Sequence, residues 1–192
     1  MTQLILASSS PYRKELLARL SVEFECISPD IDESRQPDEA ASDYVVRLAQ
    51  QKAEKIGQRH ADALIIGSDQ CCVNGDQILG KPKDKAHAIQ QLEQASGKQI
   101  EFLTGVHICH PQGNWQRQWL DSFVVEFRQL SRAEIERYID KEQPLNCAGS
   151  FKSEKLGISL CESMRGNDPT ALVGLPLIKV AACLREFGME VP

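Results

Sequence analysis

The sequence predicts an α/β fold built on a mixed, twisted sheet with flanking helices. Three observations predict it. Short apolar runs alternate with stretches of helical periodicity along the chain. A hairpin signal, Asn74-Gly75, falls near the middle. A second turn, Pro111-Gln112-Gly113-Asn114, joins two long strand-like segments. The 192 residues carry no internal repeat, low-complexity tract or long linker, so residues 1–192 read as a single domain.

The elements follow in order. Leu4 to Ala7 is too short for a helix and reads as a strand. Ser10-Pro11 then opens a helix, because serine caps and proline is favoured at the first helical position. Leu16, Leu17 and Leu20 give that helix its buried stripe. Val22 to Ile27 alternates apolar and acidic residues, as a half-exposed strand does, and the acidic stretch Pro29 to Asp38 reads as a loop. Ser42 is expected to cap a helix reaching about His60, with Val45, Leu48, Ala49 and Ile56 on its apolar face and Lys52 among them.

Ala63 to Gly67 reads as a buried strand that ends in Ser68-Asp69-Gln70. After the Asn74-Gly75 hairpin, Asp84 to Ala95 is helical. Ile100 to Cys109 and Trp115 to Phe127 are strands, and Trp115 and Trp119 share a face of the second, as packing residues. Ser131-Arg132-Ala133-Glu134 is a capping box that opens a helix to about Lys141. Ile158 to Cys161 is expected to be a strand. Leu175 to Phe187 is an amphipathic helix stopped by Gly188.

Composition narrows the function. Hydrophobic residues make up 42% and charged residues 26%, which is globular rather than disordered. Twenty-two Lys and Arg against 27 Asp and Glu leave a net charge of −5, which argues against a general nucleic-acid binder. The opening residues lack a cationic segment, and their apolar run is too short for a signal peptide or a spanning helix, so we expect no membrane partner and a cytoplasmic location. The 7 cysteines contain no C-x-x-C pair, and Cys71-Cys72 reads as two reduced thiols on opposite faces of a strand.

Three features can carry chemistry. In Ala7-Ser8-Ser9-Ser10-Pro11-Tyr12-Arg13-Lys14, hydroxyls, free helix N–H groups and the Arg13 guanidinium gather where a strand feeds a helix, a setting that attracts phosphate. Asp69, read as lying just past a buried strand, can hold a divalent metal or orient water. Glu33, with Asp30 and Asp32 nearby, can supply a second carboxylate. Lys52, Lys81 and Lys152 add cations, which completes the set that phosphoryl transfer needs. His107 and His110, three apart on a strand, make a poor metal pair. No P-loop, dinucleotide or esterase motif occurs.

Leu6-Ala7-Ser8-Ser9-Ser10-Pro11-Tyr12-Arg13, Ser68-Asp69-Gln70, Gly80-Lys81-Pro82, Gly149-Ser150-Phe151 and Gly174-Leu175-Pro176 resemble the Maf family, in that family's order and over essentially the whole chain. The resemblance implies a nucleoside triphosphate pyrophosphatase of mixed α/β fold, two lobes around a central cleft, a divalent cofactor (Mg²⁺ or Mn²⁺) and a homodimer. It implies that Asp69 is the catalytic base or a metal carboxylate, with Glu33 as a second metal carboxylate. Ser8, Ser10, Arg13, Lys52 and Lys81 would be the other residues that meet the triphosphate.

Tyr12, Gln70 and Glu154 stand where the pyrimidine-specific branch has other residues, and all three resemble the 7-methyl-GTP pyrophosphatase branch. A carboxylate at Glu154 can accept from the N–H groups of guanine, and Tyr12 can stack on a cationic methylated ring. The alternatives are a Maf pyrophosphatase acting on dTTP or UTP, a phosphohydrolase that releases single phosphate, and a regulator of septum formation without essential catalysis.

Overall fold

The computed structural model describes residues 2–192. Its seven strands form one mixed sheet. They are β1 (Leu4–Ala7), β2 (Glu25–Cys26), β3 (Leu64–Asn74), β4 (Gln77–Leu79), β5 (Gln99–His110), β6 (Trp115–Phe127) and β7 (Cys161–Gly166). The order across the sheet is β2-β1-β3-β5-β6-β7, with β4 paired to β3. β1 runs parallel to β2 and β3, whereas β4 and β7 pair antiparallel with β3 and β6. The helices are α1 (Pro11–Ala18), α2 (Ala41–Gly57), α3 (Lys85–Ala95), α4 (Arg132–Glu142) and α5 (Leu177–Phe187).

The chain divides into two compact units, each made from separated pieces. The first takes residues 1–70, 104–121 and 168–192; the second takes 71–103 and 122–167. In the first unit Leu4 and Leu6 of β1, Leu16 and Leu17 of α1, Ile66 of β3, Val106 and Ile108 of β5 and Val180 and Leu184 of α5 build one buried cluster. Trp115 and Trp119 pack against it, as their shared face requires. Ile5 and Ala7 point to the opposite side and meet Ala53 and Ile56 of α2 and Ile65 of β3. The fully buried β1 therefore serves two cores, one from each side of its pleat.

The second unit rests on α3 and α4 and on Phe151, whose ring meets Phe102 and Phe127 at centroid separations of 5.9 and 5.0 Å. Ser131 and Glu134 form the expected capping box, and its hydrogen bonds, with Arg128, hold the Glu134 carboxyl down to about 2. The seven cysteines are thiols, and Cys71 and Cys72 are both buried on β3. Burial pushes the Cys109 thiol up to about 11, so it stays protonated at neutral pH.

Four expectations change. The strand expected over 22–27 shrinks to Glu25–Cys26. Helix α2 starts one residue before Ser42 and is preceded by Ala40, which offers no side-chain cap. Residues 68–70 do not follow the strand but lie inside β3, since Ser68 and Gln70 find partners on one face while the backbone stays extended. The strand expected at Ile158–Cys161 is a 3₁₀ turn over Leu156–Leu160, followed by β7. That edge strand is rich in exposed polar residues, so it lacks the apolar run that marks a buried strand.

His107 is 2% exposed, and its Nδ1 has no hydrogen-bond partner. Burial pulls its imidazole below the ordinary value, against the opposing charge of Glu54. The folded state therefore binds fewer protons than the unfolded chain below about pH 6.5. Stability is complete above that pH and falls as acid approaches the folded-state value. Denaturant midpoints measured between pH 7 and 5 should decline for the wild type and stay flatter for His107→Gln. Equal slopes would remove His107 as the cause.

Candidate active site

The site starts where β1 ends. Ser8 is buried and accepts from the Ser10 amide at 3.1 Å and from Arg13 Nη1 at 3.4 Å. Ser10 caps α1, as its sequence position implies, by accepting from the Arg13 amide at 3.4 Å. Arg13 Nε donates to the Gly174 carbonyl at 3.0 Å. Tyr12, next to it on α1, is half-buried.

Helix α2 supplies the centre. Lys52 is 5% exposed, and its Nζ meets Asp69 Oδ1 at 2.6 Å and Glu33 Oε1 at 2.7 Å. Those two carboxylate oxygens are thus no farther apart than the two distances combined. They are hard oxygen donors, of the kind a divalent cation takes together with water and phosphate oxygens. Among the described residues, no group of three or more His, Cys, Asp or Glu side chains is placed to hold a metal ion. Asp69 is nearly buried, whereas the Glu33 side chain is more than half exposed.

Glu33 is positioned by the same helix that carries Lys52. The Tyr44 hydroxyl donates to the Glu33 carbonyl at 2.9 Å, and Arg47 Nη2 donates to the Ser34 carbonyl at 3.1 Å and to Glu39 Oε2 at 2.8 Å. Arg47 and its neighbours hold the Glu39 carboxyl down to about 2. The acidic loop is exposed yet tied to α2 by these bonds. Burial pulls the Arg13 guanidinium below its usual range, and the negative charges of Asp69 and Glu33 pull it back. Arg13 and both carboxylates thus act on one another within the first unit.

Strand alternation separates two tasks. Gly67 and Asp69 face α2. A Cβ at Gly67 would lie 2.1 Å from the Ala49 carbonyl oxygen, and one at Gly105 would lie 2.4 Å from that of Val45. Bare backbone at these two points lets α2 settle onto β3 and β5, so Lys52 reaches Asp69. Ser68 and Gln70 face the other way. Gln70 Nε2 donates toward Thr104 Oγ1 and the carbonyls of Ala171 and Leu172, at 3.0, 2.7 and 3.1 Å. The Gln70 nitrogen thereby holds the turn at 171–174.

This chain of contacts brings together Ser8, Ser10, Arg13, Glu33, Lys52 and Asp69. Lys81 and Glu154 belong to the second unit, where both are exposed. Lys152, the third lysine noted, is occupied there by Glu142, at 3.3 Å. Sequence reasoning quoted Ser68 as part of a motif without giving it a role, and gave none to Gly67 or Gly105. The signal for Gly67 lies in its spacing, because a glycine two residues before an acid on a buried strand marks a close approach of backbone on the acid's own face.

A family model described as Maf-like protein matches residues 3–187. The chain belongs to the Maf family. It is 53% identical over its full length, and that of the relative, to a protein of Pseudomonas syringae pv. syringae (strain B728a) named 7-methyl-GTP pyrophosphatase. It is 52% identical to a protein of the same name from Alcanivorax borkumensis, over 98% of this chain and 96% of the relative. A solved Ham1 protein of Staphylococcus aureus aligns with 66% of this chain and 72% of its own, at 14% identity and a TM-score of 0.47. The Maf motifs at Ser8–Arg13, Ser68–Gln70 and Gly174–Pro176 all lie in the first unit.

Gly67→Ala should cost about 1–3 kcal/mol, because the new methyl group meets helix backbone that cannot fold away. Urea denaturation checks this. Gly75→Ala, at a turn glycine whose added Cβ meets nothing within 4 Å, should cost less despite its positive φ.

Proposed function

We propose that this chain hydrolyses 7-methyl-GTP to 7-methyl-GMP and pyrophosphate, cutting between the α- and β-phosphates. The observation that carries the reading is the meeting of Asp69 and Glu33 on one buried ammonium, in reach of the field of Arg13. The names of the full-length relatives support the choice of substrate.

In this reading the triphosphate lies over the Ser8–Arg13 turn. The serine hydroxyls of this turn and the guanidinium of Arg13 donate to phosphate oxygens. Lys52 neutralises further charge on the triphosphate and keeps Asp69 in place. Asp69 orients a water molecule toward the α-phosphorus and takes its proton as the new P–O bond forms. The bridging oxygen leaves with the β- and γ-phosphates as pyrophosphate. Asp69 and Glu33 are the residues that would hold Mg²⁺ or Mn²⁺, which when bound would neutralise phosphate oxygens and make the phosphorus more electrophilic. Release of this kind suits removal of a modified nucleotide from the cellular pool.

The test is product analysis with Mg²⁺ and a panel of 7-methyl-GTP, GTP, UTP and dTTP. Preference for 7-methyl-GTP with equimolar monophosphate and pyrophosphate is expected; orthophosphate plus diphosphate would mean a different hydrolase. Chelation with EDTA should stop turnover and Mg²⁺ should restore it. Asp69→Asn should lower kcat by about 10²–10⁴-fold, the usual contribution of a positioned base. A variant with near-normal rate removes Asp69 from the chemistry.

A further inference from the structure

Ser68 is wholly buried between Gly67 and Asp69, and no step of the proposed reaction uses it. Its hydroxyl lies 2.9 Å from the Gly174 carbonyl and 3.1 Å from that of Gly105. One O–H can serve only one acceptor at a time, and Gly174 is the nearer. The same Gly174 oxygen accepts from Arg13 Nε. One carbonyl therefore joins a serine of β3 to the arginine expected to meet phosphate.

The carbonyl itself is held in place. Gly174 has a φ of +112°, a conformation open to glycine, and a Cβ there would stand 3.3 Å from Arg13 Nε. Its amide donates to the Ala171 carbonyl at 3.0 Å. Thr104 Oγ1 and Gln70 Nε2 donate to that same Ala171 carbonyl. Farther along, Asp168 accepts from Thr170 and from the Ile178 amide at the start of α5. These bonds brace the turn, and Ser68 is the hydroxyl that meets its terminal oxygen.

We propose that Ser68 is a positioning residue for Arg13, acting through the Gly174 carbonyl. With Nε committed to that carbonyl and Nη1 to Ser8 Oγ, the guanidinium plane is fixed and its remaining N–H groups are held ready for the anion. Without the Ser68 hydroxyl the carbonyl loses one of two donors and the guanidinium gains freedom that phosphate binding must then remove. The inference rests on the proposed reading of the site as one that binds a triphosphate.

The experiment is a double-mutant cycle between Ser68→Ala and Arg13→Ala, read by steady-state kinetics on 7-methyl-GTP and by calorimetry with inorganic pyrophosphate. In the wild-type background Ser68→Ala should raise KM and weaken pyrophosphate binding by about tenfold, the usual scale for one hydrogen bond to a group that handles charge. In the Arg13→Ala background it should cost nothing further. Ser68→Cys, a weak donor of nearly the same shape, should fall between the two; if Ser68→Ala does not fold, the cycle is run with Ser68→Cys. An equal loss in both backgrounds, or no loss in either, overturns the assignment. Protein that binds pyrophosphate with the expected coupling but leaves every triphosphate intact overturns the proposed function alone. Wild-type protein that binds no pyrophosphate overturns both.

Discussion

Everything at this site depends on how closely a helix can lie on a sheet. An ordinary side chain on β3 or β5 would hold α2 off by its own thickness. Gly67 and Gly105 remove that spacer, and the helix rests backbone on backbone. The gain is reach. A lysine one residue before Ala53, the alanine that touches Gly67, can bring its ammonium onto Asp69, two residues farther along the same strand face. The loop that carries Glu33 is fastened by Tyr44 and Arg47, about two turns and one turn earlier on the same helix. Helix placement thus sets both carboxylates and the cation together.

The cost of burying Lys52 and Asp69 is offset because each supplies the other's counter-charge at hydrogen-bond distance, with Glu33 closing the ammonium's solvent side. Polar satisfaction extends to the opposite face of β3, where Ser68 and Gln70 spend their donors on main-chain carbonyls. One short run of residues, 67–70, therefore contributes an approach point, an anchor, an acid and a second anchor in strict alternation.

Much of this was legible in the sequence, for reasons that are themselves physical. Ser10-Pro11, Asp84 and the Ser131–Glu134 box are local signals, and the helices begin there. The two turns at Asn74-Gly75 and Pro111–Asn114 join the strands they were expected to join. Lys52 stood out because a cation among apolar helix positions needs a partner, and it has two. What escaped is non-local. The identity of the partner of Ser68 depends on a carbonyl 106 residues away. The short extent of β2 and the replacement of an expected strand at Ile158 by a 3₁₀ turn reflect neighbours in space, which no window of sequence contains.

The order in which the chain visits its two units has a consequence for biosynthesis. The unit that holds Asp69 and Arg13 is begun by residues 1–70 but completed only by the piece that starts at Asp168. During translation the carboxylates and the lysine can emerge early, yet the carbonyl that accepts from Arg13 is made 161 residues after the arginine itself. A ribosome-bound chain that stops short of Gly174 would hold an Arg13 without this main-chain partner, however complete its carboxylates and lysine.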